Sequence, residues 1–324
     1  EEFREIFEKK REVVELLEKA KVENFNTFTP NEYIRAIKKI TIKGKGMFRQ
    51  FLKMSHKMIA VFYFILKSIY EQETLPKIMF ETLLIALFKK GDPSDPSNYR
   101  YLHIKAAIVR IFELLVYMKL EKHFDKMTSE NQQGGMKKGD TIENLAMLSS
   151  IIVDREEKGR GIILTAVDAV KCFDRVHLSD SHAVLQLSGG DKKALKVLYK
   201  MCNTNNLKVA GGSRVFTIIN GDGQGSVSAA RKTTYMIDEC TLRYSKAIPR
   251  EVIVRHREVD VPNEGFVDDE LLLAEEREGS VWGAKQYTKT LDELAMTAHP
   301  KKSVQIVCGD EVWVITIRSE LEDN

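Results

Sequence analysis

The sequence predicts an α+β fold in which a small antiparallel sheet of split-βαβ, ferredoxin-like order is backed by helices. Two observations carry that class. From Gly161 onward the chain runs strand, helix, strands, helix, strand, an order that folds into such a sheet with its helices on one side. At 324 residues, 43% of them hydrophobic, the chain can bury a substantial core as one large domain or two close-packed subdomains. No internal repeat or low-complexity linker interrupts the pattern.

The elements follow in order. The opening segment is amphipathic, with Phe3, Phe7, Val14 and Leu17 on one helical face. "TPNE" opens a second helix as a capping box: Thr29 caps, Pro30 takes the first helical position and Glu32 reaches back. Tyr33, Ile34, Ile37 and Ile40 form its apolar face. The run "MIAVFYFIL", Met58 to Leu66, is bounded by Lys57 and Lys67 and is far short of the ~20 residues a membrane helix needs. It reads as a buried core helix, and no membrane partner is expected. "TLLIALF", Thr82 to Phe88, reads as a strand, the turn-rich "KKGDPSDPSNYR", Lys89 to Arg100, as a loop, and Lys105 to His123 as a helix.

"GIILTAVD", Gly161 to Asp168, is a β-rich run that ends in a carboxylate. A helix covers Lys192 to Cys202, two short strands flank "GGSR" at Gly211 to Arg214, and another helix runs from Ser226 to Tyr244. Strands surround Asp268, a helix lies at Ala284 to Met296, and "VWVITI", Val312 to Ile317, closes the pattern as a strand.

Charge and cysteines narrow the setting. Fifty Lys and Arg against 47 Asp and Glu leave a net charge of +3, so a polyanion partner must be recognised by local clusters rather than by the whole chain. Cys172, Cys202, Cys240 and Cys308 are far apart and form no C-x-x-C pair, which points to a reducing compartment and away from a disulfide framework or zinc site. The chain starts at Glu1 without a signal-peptide pattern and reads as a piece of a longer product.

The chemistry centres on "GFVDDELLLAEE", Gly265 to Glu276. Asp268 and Asp269 sit between two apolar stretches, so they occupy a tight turn at one end of the sheet. Asp168, at the end of another expected strand, could lie beside that turn. Carboxylates grouped in this way repel unless a hard cation neutralises them, and oxygen ligands suit magnesium. Two such ions ~4 Å apart activate an attacking hydroxyl and stabilise the leaving oxygen of a phosphoryl transfer. The plainer alternative is a solvated hairpin turn.

Six blocks in sequence decide between them. "ALFKKGDPSDPSNYR", "QQGGMKKGDTIENL" (Gln132 to Leu145), "VDAVKCFDRV" (Val167 to Val176), "GDGQGS" (Gly221 to Ser226), "FVDD" and "HPKKS" (His299 to Ser303) follow one another in that order. Over roughly Phe28 to Asp310 the chain resembles the reverse transcriptase domain of LINE-type non-LTR retrotransposons. The resemblance implies right-hand polymerase fingers and palm, with an N-terminal helical region at 1–80, fingers at 81–160, a palm at 161–310, and the start of a palm–thumb junction at 311–324 with the thumb truncated. It implies an RNA-directed DNA polymerase that joins dNTPs to a DNA primer on an RNA template, in a cytoplasmic ribonucleoprotein and the nucleus.

The same resemblance assigns roles. Asp168 and Asp268 would be the principal ligands of two Mg2+ ions, Mn2+ being a possible substitute, with Asp269 in support and the Ala169 carbonyl completing the shell. Phe173 would be the steric gate that leaves no room for a 2′-hydroxyl. Lys90, or equally Lys89, and Arg100 would grip the incoming triphosphate. Gln224 and Gly225 would form the turn near nucleotide and template, and Lys302 would be a general acid for the departing pyrophosphate. Lys137 and Lys138 would contact template phosphates.

Departures from the family pattern concentrate in "SAARKTTYMID", Ser228 to Asp238, where Arg231 and Lys232 replace apolar positions and buried unpaired charge would be expensive. "YRYLHI" lacks the proline after Arg100, Met136 stands at an aromatic position, and "GDT" is one residue short. A degenerate, catalytically weak or inactive RNA-binding relative is therefore the alternative. An RNA-templated RNA polymerase of similar palm architecture is a third reading, against which Phe173 and the LINE-like fingers speak.

Overall fold

The structure is a computed structural model that describes residues 15, 27–43, 54–129, 131–134, 141–187, 189–203, 206–217, 221, 223–299, 302–308 and 313–316, with 41–43, 203 and 313–316 in their backbone alone. The amphipathic opening helix, Met136, Lys137 and Lys138 lie outside the described residues. In chain order the elements are α1 (Pro30–Lys43), α2 (His56–Gln72), β1 (Glu81–Phe88), β2 (Tyr99–Ile104), α3 (Ala107–Met127), α4 (Thr141–Glu157), β3 (Ile162–Asp168), α5 (Cys172–Arg175), α6 (Leu178–Leu187), α7 (Lys192–Asn203), β4 (Asn206–Val209) and β5 (Val215–Thr217). They continue with α8 (Ala229–Ala247), β6 (Val254–His256), β7 (Val259–Val261), β8 (Asn263–Phe266), β9 (Asp269–Ala274), α9 (Arg277–Glu293), β10 (Val304–Cys308) and β11 (Trp313–Thr316). They belong to two units: Glu1–Lys122, Gly189–Ile219 and Gly223–Ser228 form the first, and His123–Ser188, Asn220–Asp222 and Ala229–Asn324 the second.

In the first unit the expected capping box forms. Thr29 N–H donates to Glu32 Oε2 at 2.8 Å and Glu32 N–H to Thr29 Oγ1 at 3.1 Å, which satisfies two donors at the start of α1. Tyr33, Ile34, Ile37 and Ile40 are buried as the helical period requires. Helix α2 corrects the sequence reading. Ile59, Tyr63 and Leu66 face the core, but Met58, Val61, Phe64 and Ile65 are exposed; a helix that is apolar on both stripes does not reveal which one faces inward.

Strands order as β2-β1-β4-β5, with β1 antiparallel to β2 and parallel to β4. The loop after β1 is shorter than expected and ends at Asn98, so Arg100 sits on β2 opposite Leu87. The alternation in "YRYLHI" lets it pair along β1 instead of remaining loop. Asp92 and Asp95 fold the loop by accepting from Ser94 N–H and Ser97 N–H, each at 2.8 Å.

The second unit holds a five-stranded sheet of order β11-β10-β3-β9-β8 with every pair antiparallel. Between β3 and β8 the chain passes through α5 to α7, β4 and β5 before α8 and the β6–β7 ribbon, and α9 links β9 to β10, so helices join the strands in split-βαβ order. One face packs Ile162, Leu164 and Leu273 against Ile151 of α4 and Val254 and Val261 of the ribbon. On the other face Thr165 Oγ1 and Ser280 Oγ of α9 are 2.8 Å apart, and Gln305 joins them.

The final strand expected within Val312 to Ile317 forms as β11 at the edge of the sheet, but the strand before it was missed. The place beside β3 belongs to β10, "VQIVC", whose buried Gln305 is satisfied by Thr165 and Ser280 and breaks up the apolar run in the sequence. A second correction concerns α8. Arg231 and Lys232 are buried at 7% and 4% exposure, but Arg231 is ion-paired with Asp125 of the same unit rather than left unpaired. The four cysteines are free thiols, and among the described residues no helix is long and apolar enough to cross a membrane.

Candidate active site

β3 delivers Asp168 to its end and β9 begins with Asp269, and the two are partners in the antiparallel ladder. Direct partners in such a ladder share a face. Asp268 fills the turn between β8 and β9 with Val267. Burial raises the pKa of Asp268, and the charges of Asp269 and Asp168 raise it further against the opposing pull of Lys302. Asp269 is raised in the same way, first by burial and then by Asp168.

A second strap reaches this end of β3. His299 N–H donates to Asp168 O at 2.7 Å, and Asp168 N–H donates to Ser303 Oγ at 3.3 Å. Ser303 Oγ in turn donates to His299 O at 3.0 Å. That compact turn carries Lys302, whose Nζ lies 3.0 Å from Asp168 Oδ2 with its side chain 62% exposed. Ala169 bridges to Ala298 through Val170 N–H to Thr297 O and the His299 bond just described, so its own carbonyl is not spent on that bridge. Phe173 is half-buried on the one-turn helix α5, five positions beyond Asp168. Beside Asp269 the same face opens into a cavity of about 390 Å3 lined by Asn144, Leu145, Ala166, Phe266 and Leu271.

The second unit thus brings Asp168, Asp268, Asp269 and Lys302 together at one end of its sheet. Lys89, Lys90, Arg100, Gln224 and Gly225 belong to the first unit. Lys89, Lys90 and Arg100 are exposed, and Lys89 N–H closes the hairpin loop on Asn98 O at 2.9 Å. Gln224 O accepts from His103 N–H at 2.7 Å. Gly225 has φ +104°, a conformation that favours glycine, and a Cβ there would meet His103 O at 3.0 Å.

The loop that follows is held by Glu113, which accepts from Ser226 Oγ, from Ser228 N–H at 3.1 Å and from Ser228 Oγ at 2.8 Å. Burial would raise the Glu113 pKa, but the charge of Lys105 and these donors outweigh it and hold the carboxyl at about 2. Burial, with the Lys105 charge, pushes His103 down to about 4. Neither Glu113 nor His103 was singled out from sequence, because their contacts with the glycine loop join positions more than a hundred residues apart.

Among the described residues no three His, Cys, Asp or Glu side chains form a ready metal cluster. The donor chemistry nevertheless fits a hard cation. Asp168, Asp268 and Asp269 offer only oxygen, Asp268 and Asp269 have their pKa values raised by burial and by the neighbouring carboxylates, and Asp168 already draws the ammonium of Lys302.

Comparison with known proteins places the chain in a family. A family model described as "Reverse transcriptase (RNA-dependent DNA polymerase)" matches residues 88–316. The chain is 27% identical over 191 residues to the "Retrovirus-related Pol polyprotein from type-1 retrotransposable element R2" of Popillia japonica, an alignment that covers 57% of this chain and 26% of that protein.

Proposed function

The chain belongs to the reverse transcriptase family, and from that premise we propose that it is the RNA-directed DNA polymerase domain of a LINE-type non-LTR retrotransposon. The reaction is nucleotidyl transfer: the 3′-oxygen of a DNA primer attacks the α-phosphorus of a dNTP paired to an RNA template, and pyrophosphate leaves. The observation that carries this reading is the pairing of Asp168 with Asp269 across β3 and β9, with Asp268 in the adjoining turn and Lys302 3.0 Å from Asp168.

In this reading the second unit's sheet with α8 and α9 is the palm, and the β1–β2 hairpin belongs to the fingers. Asp168, Asp268 and Asp269, with the Ala169 carbonyl, would hold two Mg2+ ions, for which Mn2+ could substitute. When bound, those ions supply Lewis-acid activation of the primer hydroxyl and offset the charge of the leaving pyrophosphate. The protein's own groups do the rest. Phe173 closes the space a 2′-hydroxyl would need. The exposed ammonium of Lys302 is free to swing from Asp168 and give a proton to the leaving oxygen. Arg100, with Lys90 or Lys89, supplies charge for the triphosphate, and Lys137 and Lys138 for template phosphates. A cytoplasmic ribonucleoprotein and the nucleus are the compartments that such an element requires.

The second reading, an RNA-binding relative with weak or no catalysis, draws its support from α8, where the buried hydroxyls of Thr233 and Thr234 have no hydrogen-bond partner among the described residues. Primer extension separates the two. Purified chain given an RNA template, an annealed DNA primer, dNTPs and Mg2+ extends the primer under the first reading. RNA binding without extension in either Mg2+ or Mn2+ would establish the second.

A further inference from the structure

We propose that Gln132 is a positioning residue that holds the aspartate turn in its working conformation by clamping Val267. The inference rests on the polymerase reading of Asp268 and Asp269. Val267, immediately before Asp268, has φ +63°, a left-handed backbone that a β-branched side chain rarely adopts. Such strain persists only where the surroundings over-determine it.

Here one carboxamide supplies the constraint. Gln132 Oε1 accepts from Val267 N–H at 2.9 Å, and Gln132 Nε2 donates to Val267 O at 3.4 Å. The same Oε1 accepts from Gly134 N–H at 2.9 Å, which fixes the side chain on its own segment. Gln132 is 3% exposed, so none of these bonds is readily replaced by water.

The segment that carries Gln132 is itself tied down at several points. Gly265 N–H donates to Asn131 O at 2.9 Å and Gln133 N–H to Gly265 O at 3.0 Å, which lays the segment beside β8 as a single parallel bridge. Asn144 of α4 donates to Gly265 O at 3.1 Å, and Ser129 N–H donates to Asp238 Oδ2 of α8 at 2.8 Å. Two glycines make room for the clamp. A Cβ on Gly134 would lie 2.0 Å from Val267 N, and one on Gly265 would lie 2.9 Å from Gln132 Nε2.

The clamp therefore runs from α8 through Ser129 and residues 131–134 to the residue whose dihedrals aim Asp268. Without the carboxamide, Val267 relaxes toward negative φ and the carboxylates lose their mutual placement. The clamp would act on the rate of chemistry more than on nucleotide affinity.

The test uses Gln132→Met, which keeps the volume and removes the bonds, Gln132→Glu, which keeps the acceptor, and each combined with Val267→Gly. Two quantities are read: amide hydrogen exchange at Val267 in the metal-free chain, and kcat and KM for dNTP in primer extension. Gln132→Met is expected to speed Val267 exchange by about tenfold or more and to lower kcat by about tenfold while KM changes by less than about twofold. Gln132→Glu recovers most of the exchange protection. In the Val267→Gly background the Gln132→Met loss of kcat shrinks, because glycine accepts positive φ without strain.

Unchanged Val267 exchange in Gln132→Met, or equal losses of kcat in both backgrounds, would overturn the clamp. Gln132→Asn, too short to reach both partners, gives the same comparison if Gln132→Met does not fold. If the unaltered chain extends no primer, the polymerase reading fails while the exchange measurement still decides the clamp: faster exchange supports it and unchanged exchange ends it.

Discussion

Asp168 and Asp269 are direct partners across β3 and β9, so two carboxylates that lie a hundred residues apart in the chain share one face of one sheet. Burial and the charge of Asp168 raise the pKa of Asp269, and Lys302 opposes the shift from 3.0 Å beside Asp168. Ionised Asp268 and Asp269 are disfavoured by folding, which makes the function of either separable from stability by mutation.

Asp268→Asn is accordingly expected to reduce primer extension by about a thousandfold or more, since holding catalytic cations is worth several kcal/mol. Thermal unfolding of the metal-free variant should be no lower than that of the parent, because the substitution relieves repulsion from Asp269 and Asp168. Normal turnover in this variant would remove Asp268 from the site.

In the proposed mechanism Lys302 has two separable roles, neutralising Asp168 and giving a proton to pyrophosphate. Lys302→Arg keeps the first and loses the second, since a guanidinium holds its proton at any working pH. Lys302→Ala loses both. Pre-steady-state extension should show Lys302→Arg slowed by about a hundredfold and Lys302→Ala slowed at least as much. An arginine variant at full rate would restrict Lys302 to the ion pair.

Phe173→Val should admit ribonucleotides. The ring is half-buried on α5 with its position relative to Asp168 fixed by the short connection from β3. Competition between a dNTP and the matching rNTP measures the change directly, as a ratio of kcat/KM values. Unchanged discrimination would place the gate elsewhere.

The carboxylate site was legible in the sequence because its strands are apolar runs that stop at charged residues, as at Val167-Asp168 and Asp269-Glu270-Leu271. What stayed hidden depends on contacts with no local signature. β10 was obscured by Gln305, a polar residue at a core position that only the partners Thr165 and Ser280 make acceptable. α4 was read only as part of a motif, since Ile142, Leu145, Met147 and Val153 are exposed and spoil its helical period. The Arg231–Asp125 pair and the Gln132–Val267 clamp each join residues more than a hundred positions apart. A charge on α8 therefore read as damage when it has a partner, and a glutamine read only as part of a motif block when it holds the aspartate turn.

The first unit's glycine loop should make the protein labile to acid in two stages. His103 is a base whose folded pKa is pushed from 6.5 down to about 4 by burial and by Lys105. The unfolded chain therefore binds the extra proton between those values, and stability is lost as pH falls from about 6.5 to about 4. Glu113 is an acid whose folded pKa falls from 4.5 to about 2, so its contribution is complete above pH 4.5 and is lost as pH falls toward 2. Chemical denaturation across pH 2 to 8 should show falling stability over both windows. His103→Gln flattens the upper window and leaves the lower one. Glu113→Gln flattens the lower one and costs about 3 kcal/mol even at neutral pH, because Lys105, 3% exposed, is left as a buried charge without its carboxylate. Since Glu113 also holds Ser226 and Ser228 beside Gln224 and Gly225, its loss should raise the KM for dNTP in extension assays more than it lowers kcat. A Glu113→Gln variant with unaltered acid stability would show that the loop is held by something other than this carboxylate.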